Sequence, residues 1–279
     1  MGHKIKLIAF DLDDTLLTRE KKLTPENFKA LTRAAEAGVK LVPTTGRFWG
    51  AVPEIVKAPE FKINYSITAN GAEIFDTVNL KVISEFKIPL ERALNIMRIF
   101  EDLCVVYDAF IDGKGMISQK NFEKLKNVAL DEYQFKLLHD LRTPVEDVKI
   151  FAENLGHDVQ KVQLFTLDKN LRENLLNAFK IVLPLNSVSS SVPNNVEIND
   201  IKANKGDALK KLAEYLGFGI ENVLAFGDGL NDISMIKNAG IGVAMNNAVK
   251  ELKGVADYIT LNDCDNSGVA EGIYKFCDL

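Results

Sequence analysis

Two aspartates spaced two apart, Asp11 and Asp13, follow directly on the apolar run Ile5 to Phe10. Alternate residues of a strand point the same way, so both carboxylates would leave the strand end on one side. Adjacent acids repel, and taken alone the pair fits an acidic turn or helix cap equally well. A second acidic pair, Asp228 and Asp232 in Gly227-Asp228-Gly229-Leu230-Asn231-Asp232, again comes after an apolar stretch and before a helix. Four acids at one sheet rim would form a hard oxygen site suited to Mg²⁺, which takes one or two carboxylates, waters and phosphate oxygens. Asp232 alone is equally a plain helix N-cap.

Lys205 falls in the first turn of a helix opening after Asn204, where the positive end of the helix dipole disfavours a cation unless an anion is near. At another strand end, Thr45-Gly46-Arg47 offers a hydroxyl, a backbone N–H open to close approach, and an anion-pairing side chain. Carboxylates with a metal at one edge, facing Lys, Thr and backbone donors at the other, suit phosphoryl transfer to a carboxylate. An attacking carboxylate and a phosphate dianion repel by about 4 kcal/mol per unit charge pair at ~4 Å and an effective dielectric near ~20. Cations are therefore required at such a site.

The elements that must hold these residues alternate. Strand Ile5 to Phe10 is followed by a helix with Thr24 before it, Pro25 at its first position, and Gly38 after it. Strand Val39 to Thr45, a helical segment over about 48–57, and strand Tyr65 to Ala69 follow. From about Lys87 to Val188 the pattern becomes mixed, with helices at Leu90–Glu101 and Leu171–Lys180 and strands near Val105–Phe110 and Val159–Thr166. Alternation then resumes with strand Val196–Asn199, helix Lys205 to Leu216, strand Asn222–Phe226, a helix after Asn231, strand Ile241–Ala244 and helix Ser267–Phe276. Strands separated by helices predict a parallel α/β sheet with ligands beyond the carboxyl ends of its strands. The predicted division is a core of residues 1–85 and 190–279 interrupted by an inserted α+β unit, 86–189.

The composition narrows the function classes. The 279 residues carry 34 Lys plus Arg against 39 Asp plus Glu, a net charge of -5, which leaves no basic excess for a nucleic acid partner. No apolar run approaches the roughly 18 residues of a membrane span, so neither a span nor a signal peptide is predicted. Three scattered cysteines without a CxxC predict no disulfide framework or zinc site and fit a reducing cytoplasm. Gly227-Asp228-Gly229 and Gly240-Ile241-Gly242 lack the third glycine of a dinucleotide fingerprint.

With these motifs in order, the chain resembles haloacid dehalogenase superfamily phosphatases, specifically the Cof-type, class IIB sugar-phosphatase-like subfamily. The ordered set is Asp11-Leu12-Asp13-Asp14-Thr15-Leu16-Leu17, Thr45-Gly46-Arg47, Lys205 within Asn204-Lys205-Gly206-Asp207-Ala208-Leu209, and Gly227 to Asp232. Subfamily features match in Ile67 to Ala72, Gly242 to Ala248, Ala256 to Thr260 and Gly268-Val269-Ala270. The resemblance implies a Rossmann-like core with an inserted C2B-type cap that closes over the site. It implies Asp11 as nucleophile, Asp13 as general acid and base, and Mg²⁺ held by Asp11, the Asp13 carbonyl and Asp228, with Asp232 supporting. Thr45, Lys205, Asn231 and the backbone of Leu12 and Gly46 would hold the phosphoryl group. Arg47 and Asn70 either face the substrate or brace the loop. Asp14 stands where Gly is frequent in the family, adding charge without removing a ligand.

The expected activity is hydrolysis of phosphate monoesters of small metabolites, sugar phosphates first, by a monomer or weak homodimer. A phosphomutase related to phosphomannomutases, or a non-catalytic phospho-ligand sensor, are the alternatives. The intact set Asp11, Asp13, Lys205 and Asp228 argues against the sensor.

Overall fold

A computed structural model describes residues 4–279. Contacts divide the chain into two units: residues up to Arg47, Val52–Ser84 and Asn204–Leu279 form one, Phe48–Ala51 and Glu85–Ala203 the other.

In the first unit, five parallel strands run in the order Tyr258–Ile259, Ile241–Ala244, Val223–Gly227, Leu7–Phe10, Lys40–Pro43. Leu7–Phe10 and Val223–Gly227 are buried along their whole lengths, as strands covered on both faces must be. Helix Pro25–Glu36 packs against Gly268–Phe276, and Lys205–Tyr215 against Ile233–Asn238. Thr24 caps the first of these helices by accepting from the Asn27 N–H, with Pro25 at the first position. Chain connections leave Leu7–Phe10 toward Lys40–Pro43 on one side and enter Val223–Gly227 on the other. The strand order thus reverses between Leu7–Phe10 and Val223–Gly227, where parallel sheets collect ligands.

Tyr65–Thr68 does not extend this sheet as a full strand. It touches it through a single parallel bridge, Thr44 with Ile67, and pairs antiparallel with Glu73–Asp76 in a separate three-stranded sheet. The helical segment expected over 48–57 is two short 3₁₀ turns, Trp49–Ala51 and Glu54–Lys57, followed beyond it by a third, Pro59–Phe61. Pro53 and Pro59 remove amide donors and interrupt any continuous helix.

The second unit is a six-stranded sheet in the order Asn186–Ser189, Asn195–Asp200, Lys161–Phe165, Val106–Ile111, Lys114–Ser118, Arg142–Val145, antiparallel except for its last pair. Tyr107, Ala109, Val162, Leu164, Val196 and Ile198 form a core on one face with helices Leu90–Asp102, Val148–Leu155 and Lys169–Val182. The strand expected at Val196–Asn199 as part of the core therefore belongs here, paired antiparallel with Lys161–Phe165. The second boundary moves accordingly from 190 to Asn204, and Phe48–Ala51 leaves the 1–85 segment. Among the described residues, no helix is long and apolar enough to cross a membrane.

Candidate active site

Register sets the site. Phe10 lies level with Phe226 on one side and with Pro43 on the other, so Asp11, Asp228 and the Thr44-Thr45 segment emerge together. The ladder continues one step past the strands, with the Asp11 N–H donating to the Phe226 carbonyl at 3.0 Å and Thr44 N–H to Phe10 at 2.9 Å.

Lys205 is fully buried, and its Nζ donates to Asp11 Oδ1 at 2.7 Å and to Asp232 Oδ1 at 2.6 Å. The anion that its place at a helix start demanded is thus two carboxylates. Asp232 turns its other oxygen to the backbone N–H groups of Asp228 and Gly229, at 3.0 and 2.9 Å. Its role is to order the loop that carries Asp228 while anchoring Lys205. Asp228 Oδ1 accepts from the Thr15 hydroxyl at 2.7 Å.

Asp13 faces different partners. Arg47 grips it with two parallel bonds, Nε to Oδ2 at 2.8 Å and Nη2 to Oδ1 at 2.7 Å, and Lys21 Nζ stands 3.3 Å from Oδ1. Burial opposes its ionisation, but Arg47 and then Lys21 outweigh it and hold the carboxyl well below the usual range. Lys21 also donates to Asp14 at 2.7 Å. Asp14 has φ 59°, left-handed backbone that Gly adopts most easily and Asp tolerates. The added charge at that position is neutralised by Lys21.

Thr45 is buried, its hydroxyl accepting from the Arg47 N–H at 3.2 Å and its carbonyl from the Asn70 N–H at 3.0 Å. Gly46 lies between them in the same turn. Asn70, at φ 60°, accepts from Asn231 Nδ2 at 3.1 Å, joining two of the predicted residues. Leu12 is buried, its carbonyl accepting from Leu17 N–H at 2.9 Å. Arg47 in this state braces Asp13. Thr15 and Lys21 were not singled out from the sequence. Thr15 lies inside a motif already noted, whereas Lys21 sits in the loop 18–22 with no pattern to mark it.

Carboxylate oxygens of Asp11, Asp228 and Asp232 all lie within 4.8 Å of one another. Burial, then repulsion from Asp232 and Asp13, pushes Asp11 up to about 7 despite Lys205. Burial, then Asp11 and Asp232, likewise raises Asp228 well above the ordinary carboxylate range. Lys205 is itself held above the usual lysine range, its burial outweighed by Asp11 and Asp232. One lysine among three acids leaves a deficit of positive charge. A hard dication fits that deficit, and with Asp232 engaged on both oxygens its ligands would be Asp11 and Asp228.

A pH effect follows. Between the ordinary value of 3.8 and about 7 for Asp11, the folded metal-free protein binds more protons than the unfolded chain, so stability falls as pH rises through that window. Asp13 is shifted the opposite way and loses its contribution only as pH falls below the window, while that of Lys205 is lost only at high pH. Mg²⁺ is therefore expected to raise the melting temperature more at pH 7.5 than at pH 5, measured by thermal shift. An equal or larger shift at pH 5 would contradict the assignment of Asp11 and Asp228 as ligands.

The chain matches the sequence profile of haloacid dehalogenase-like hydrolases over residues 8–273. It is 34% identical over 270 residues to the 5-amino-6-(5-phospho-D-ribitylamino)uracil phosphatase YcsE of Bacillus subtilis, covering 96% of this chain and 94% of that protein. The pyridoxal phosphate phosphatase YbhA of Escherichia coli is 31% identical, with 97% and 98% covered. A subclass IIB sugar phosphatase, BT4131, superposes with a TM-score of 0.80 at 25% identity, covering 97% of this chain and 98% of that one. The order of the motifs, the parallel sheet that unites them and these likenesses agree: the chain is an enzyme that belongs to the haloacid dehalogenase-like hydrolases.

Proposed function

We propose that this hydrolase is a Mg²⁺-dependent phosphatase of small phosphorylated metabolites, sugar phosphates first, working through an aspartyl-phosphate on Asp11. The observation that carries the reading is Lys205 buried between Asp11 and Asp232 with Asp228 alongside, at the switch point of a parallel sheet. The phosphatase names of the relatives support it.

In the first half-reaction Asp11 attacks phosphorus, the bond from phosphorus to the leaving oxygen breaks, and Asp13 gives that oxygen its proton. Bound as it is by Arg47, Asp13 is an anion. It must leave the guanidinium to take up and deliver a proton. In the second half-reaction water attacks the phosphoryl group, Asp13 accepts a proton, and the bond to Asp11 breaks to restore the carboxylate. Lys205, the Thr45 hydroxyl, Asn231 and the N–H groups of Leu12 and Gly46 would hold the phosphoryl oxygens, where charge develops. Asp11, Asp228 and the Asp13 carbonyl would hold Mg²⁺, which when bound supplies positive charge against the incoming phosphate.

Excess EDTA is expected to abolish phosphate release from sugar phosphates, and added Mg²⁺ to restore it; activity unchanged by chelation would discard the metal. Inorganic phosphate, rather than an isomeric phosphate, should accumulate from a hexose phosphate. The isomer would make the protein a phosphomutase.

A further inference from the structure

The segment Gly242 to Ala248 supplies none of the residues assigned to the reaction, yet it borders the loops that carry them. Past strand Ile241–Ala244, the Met245 N–H donates to the Gly227 carbonyl at 3.0 Å and the Val249 N–H to the Asp228 carbonyl at 2.9 Å. The turn between these two bonds is thereby tied on both sides to the backbone that presents Asp228. Asn247 lies at its middle, half-buried.

The Asn247 side chain crosses to the other acidic loop. Its Nδ2 donates to the Asp14 carbonyl at 2.7 Å, and its Oδ1 accepts from the Cys264 N–H at 3.0 Å. The second bond fixes the first, because a flipped amide would set two acceptors together at Asp14 and two donors together at Cys264. Within the acidic loop, the Leu16 N–H serves the Asp11 carbonyl at 3.3 Å and the Leu17 N–H the Leu12 carbonyl at 2.9 Å. The Asp14 carbonyl turns outward instead, to Asn247. Asp14 holds a left-handed φ of 59°, which costs an L residue about as much as one neutral hydrogen bond returns, so the bond from Asn247 is large enough to decide how this backbone lies. On one side of Asp14 stands Thr15, tethered through its hydroxyl to Asp228 at 2.7 Å; on the other stands Asp13. A swing at Asp14 is therefore passed to Asp13. Asp13 must part from Arg47 to handle a proton, and at that moment its aim depends on the backbone alone.

We propose that Asn247 is a positioning residue for Asp13, keeping the carboxyl directed at the leaving oxygen by holding the Asp14 carbonyl. The proposal rests on the phosphatase reading, in which Asp13 protonates the leaving group, and deepens it by naming the side chain that aims this acid.

The test uses leaving groups that differ in their need for a proton. The phenolate of 2,4-dinitrophenyl phosphate departs unaided, whereas the alkoxide of glucose 6-phosphate must be protonated as it leaves. Asn247→Leu loses both bonds, and Asn247→Asp keeps the acceptor for Cys264 while losing the donor to Asp14. Each should lower kcat/KM on glucose 6-phosphate by roughly ten- to a hundred-fold, and on the dinitrophenyl ester by about three-fold or less. Asn247→Asp decides the matter alone if Asn247→Leu does not fold. Asp13→Asn sets the scale, with the larger of its two losses expected on glucose 6-phosphate. A merely structural role for Asn247 would depress both esters alike. Equal losses, or no loss on either, with Asp13→Asn still selective would overturn the proposal and leave the phosphatase reading standing. Two Asn247 variants that both fail to fold by circular dichroism would overturn it as well, since Asn247 would then hold the fold rather than aim the acid. An Asp13→Asn that depresses both esters equally, or a parent that releases phosphate from neither, would remove the underlying reading and this proposal with it.

Discussion

Asp11→Asn is expected to lower turnover of an aryl phosphate by roughly 10⁴-fold or more while leaving the protein at least as stable as the parent at pH 7.5. The amide keeps the shape of the side chain and an oxygen that can still accept from Lys205, now 2.7 Å away, but it is no nucleophile. Stability should not suffer, because the metal-free parent holds Asp11 as a carboxylate that burial, Asp232 and Asp13 all resist. Removing that charge relieves repulsion at pH 7.5 and matters little at pH 5, where the proton is already bound. Phosphate release and thermal melts check the two halves separately. Retained turnover would dismiss Asp11 as the nucleophile, and a sharply lower melting temperature would mean that its negative charge holds the site together.

The opposite stability result is expected on removing the cation. Lys205→Met takes away the positive charge among three acids whose oxygens lie within 4.8 Å of one another. Breaking a buried ion pair from one side costs about 3–5 kcal/mol, since the partners are left either charged without compensation or obliged to take up a proton. Urea denaturation at pH 7.5 should show a loss of that size, smaller at pH 5, where Asp11 carries a proton. Asp232→Asn added to Lys205→Met should recover part of it. A loss under about 1 kcal/mol would reduce Lys205 to a packing residue, because an ordinary surface pair is worth no more than that.

The core was readable because its cues operate at two levels at once. Each of Asp11, Thr45 and Asp228 follows an apolar strand, and a parallel sheet has only one rim where strand ends meet. Asp232 was undecidable from spacing because a helix cap and a metal ligand ask for the same residue type. In the structure one oxygen takes two backbone amides and the other takes Lys205. Arg47 was open for a similar reason, and its two bonds to Asp13 depend on a meeting of two loops that no local pattern encodes. The misplaced strand is equally instructive. Val196 and Ile198 alternating with Glu197 and Asn199 announce a strand with one apolar face, but period two says nothing about which sheet will pair with it. Lys21 left no trace, since an isolated lysine in a polar loop resembles any solvated residue until Asp13 and Asp14 are seen beside it.

The helix that begins at Lys205 enters between two backbones. A Cβ on Gly71 would fall 2.3 Å from the Asn204 carbonyl oxygen, and one on Gly206 would fall 2.3 Å from that of Ser234. The backbone on either side of the lysine is thus held by close main-chain approaches, at Asn204 against Gly71 and at Gly206 against Ser234. Lysine ordinarily carries about 2 kcal/mol of rotamer entropy, which a flexible residue surrenders whenever it grips an anion. Here that loss falls at folding, once for the life of the molecule. If Lys205 holds the phosphoryl group as proposed, each turnover would begin with an ammonium group that has few conformations left to lose, and more of its attraction for a phosphoryl oxygen would go into lowering the barrier.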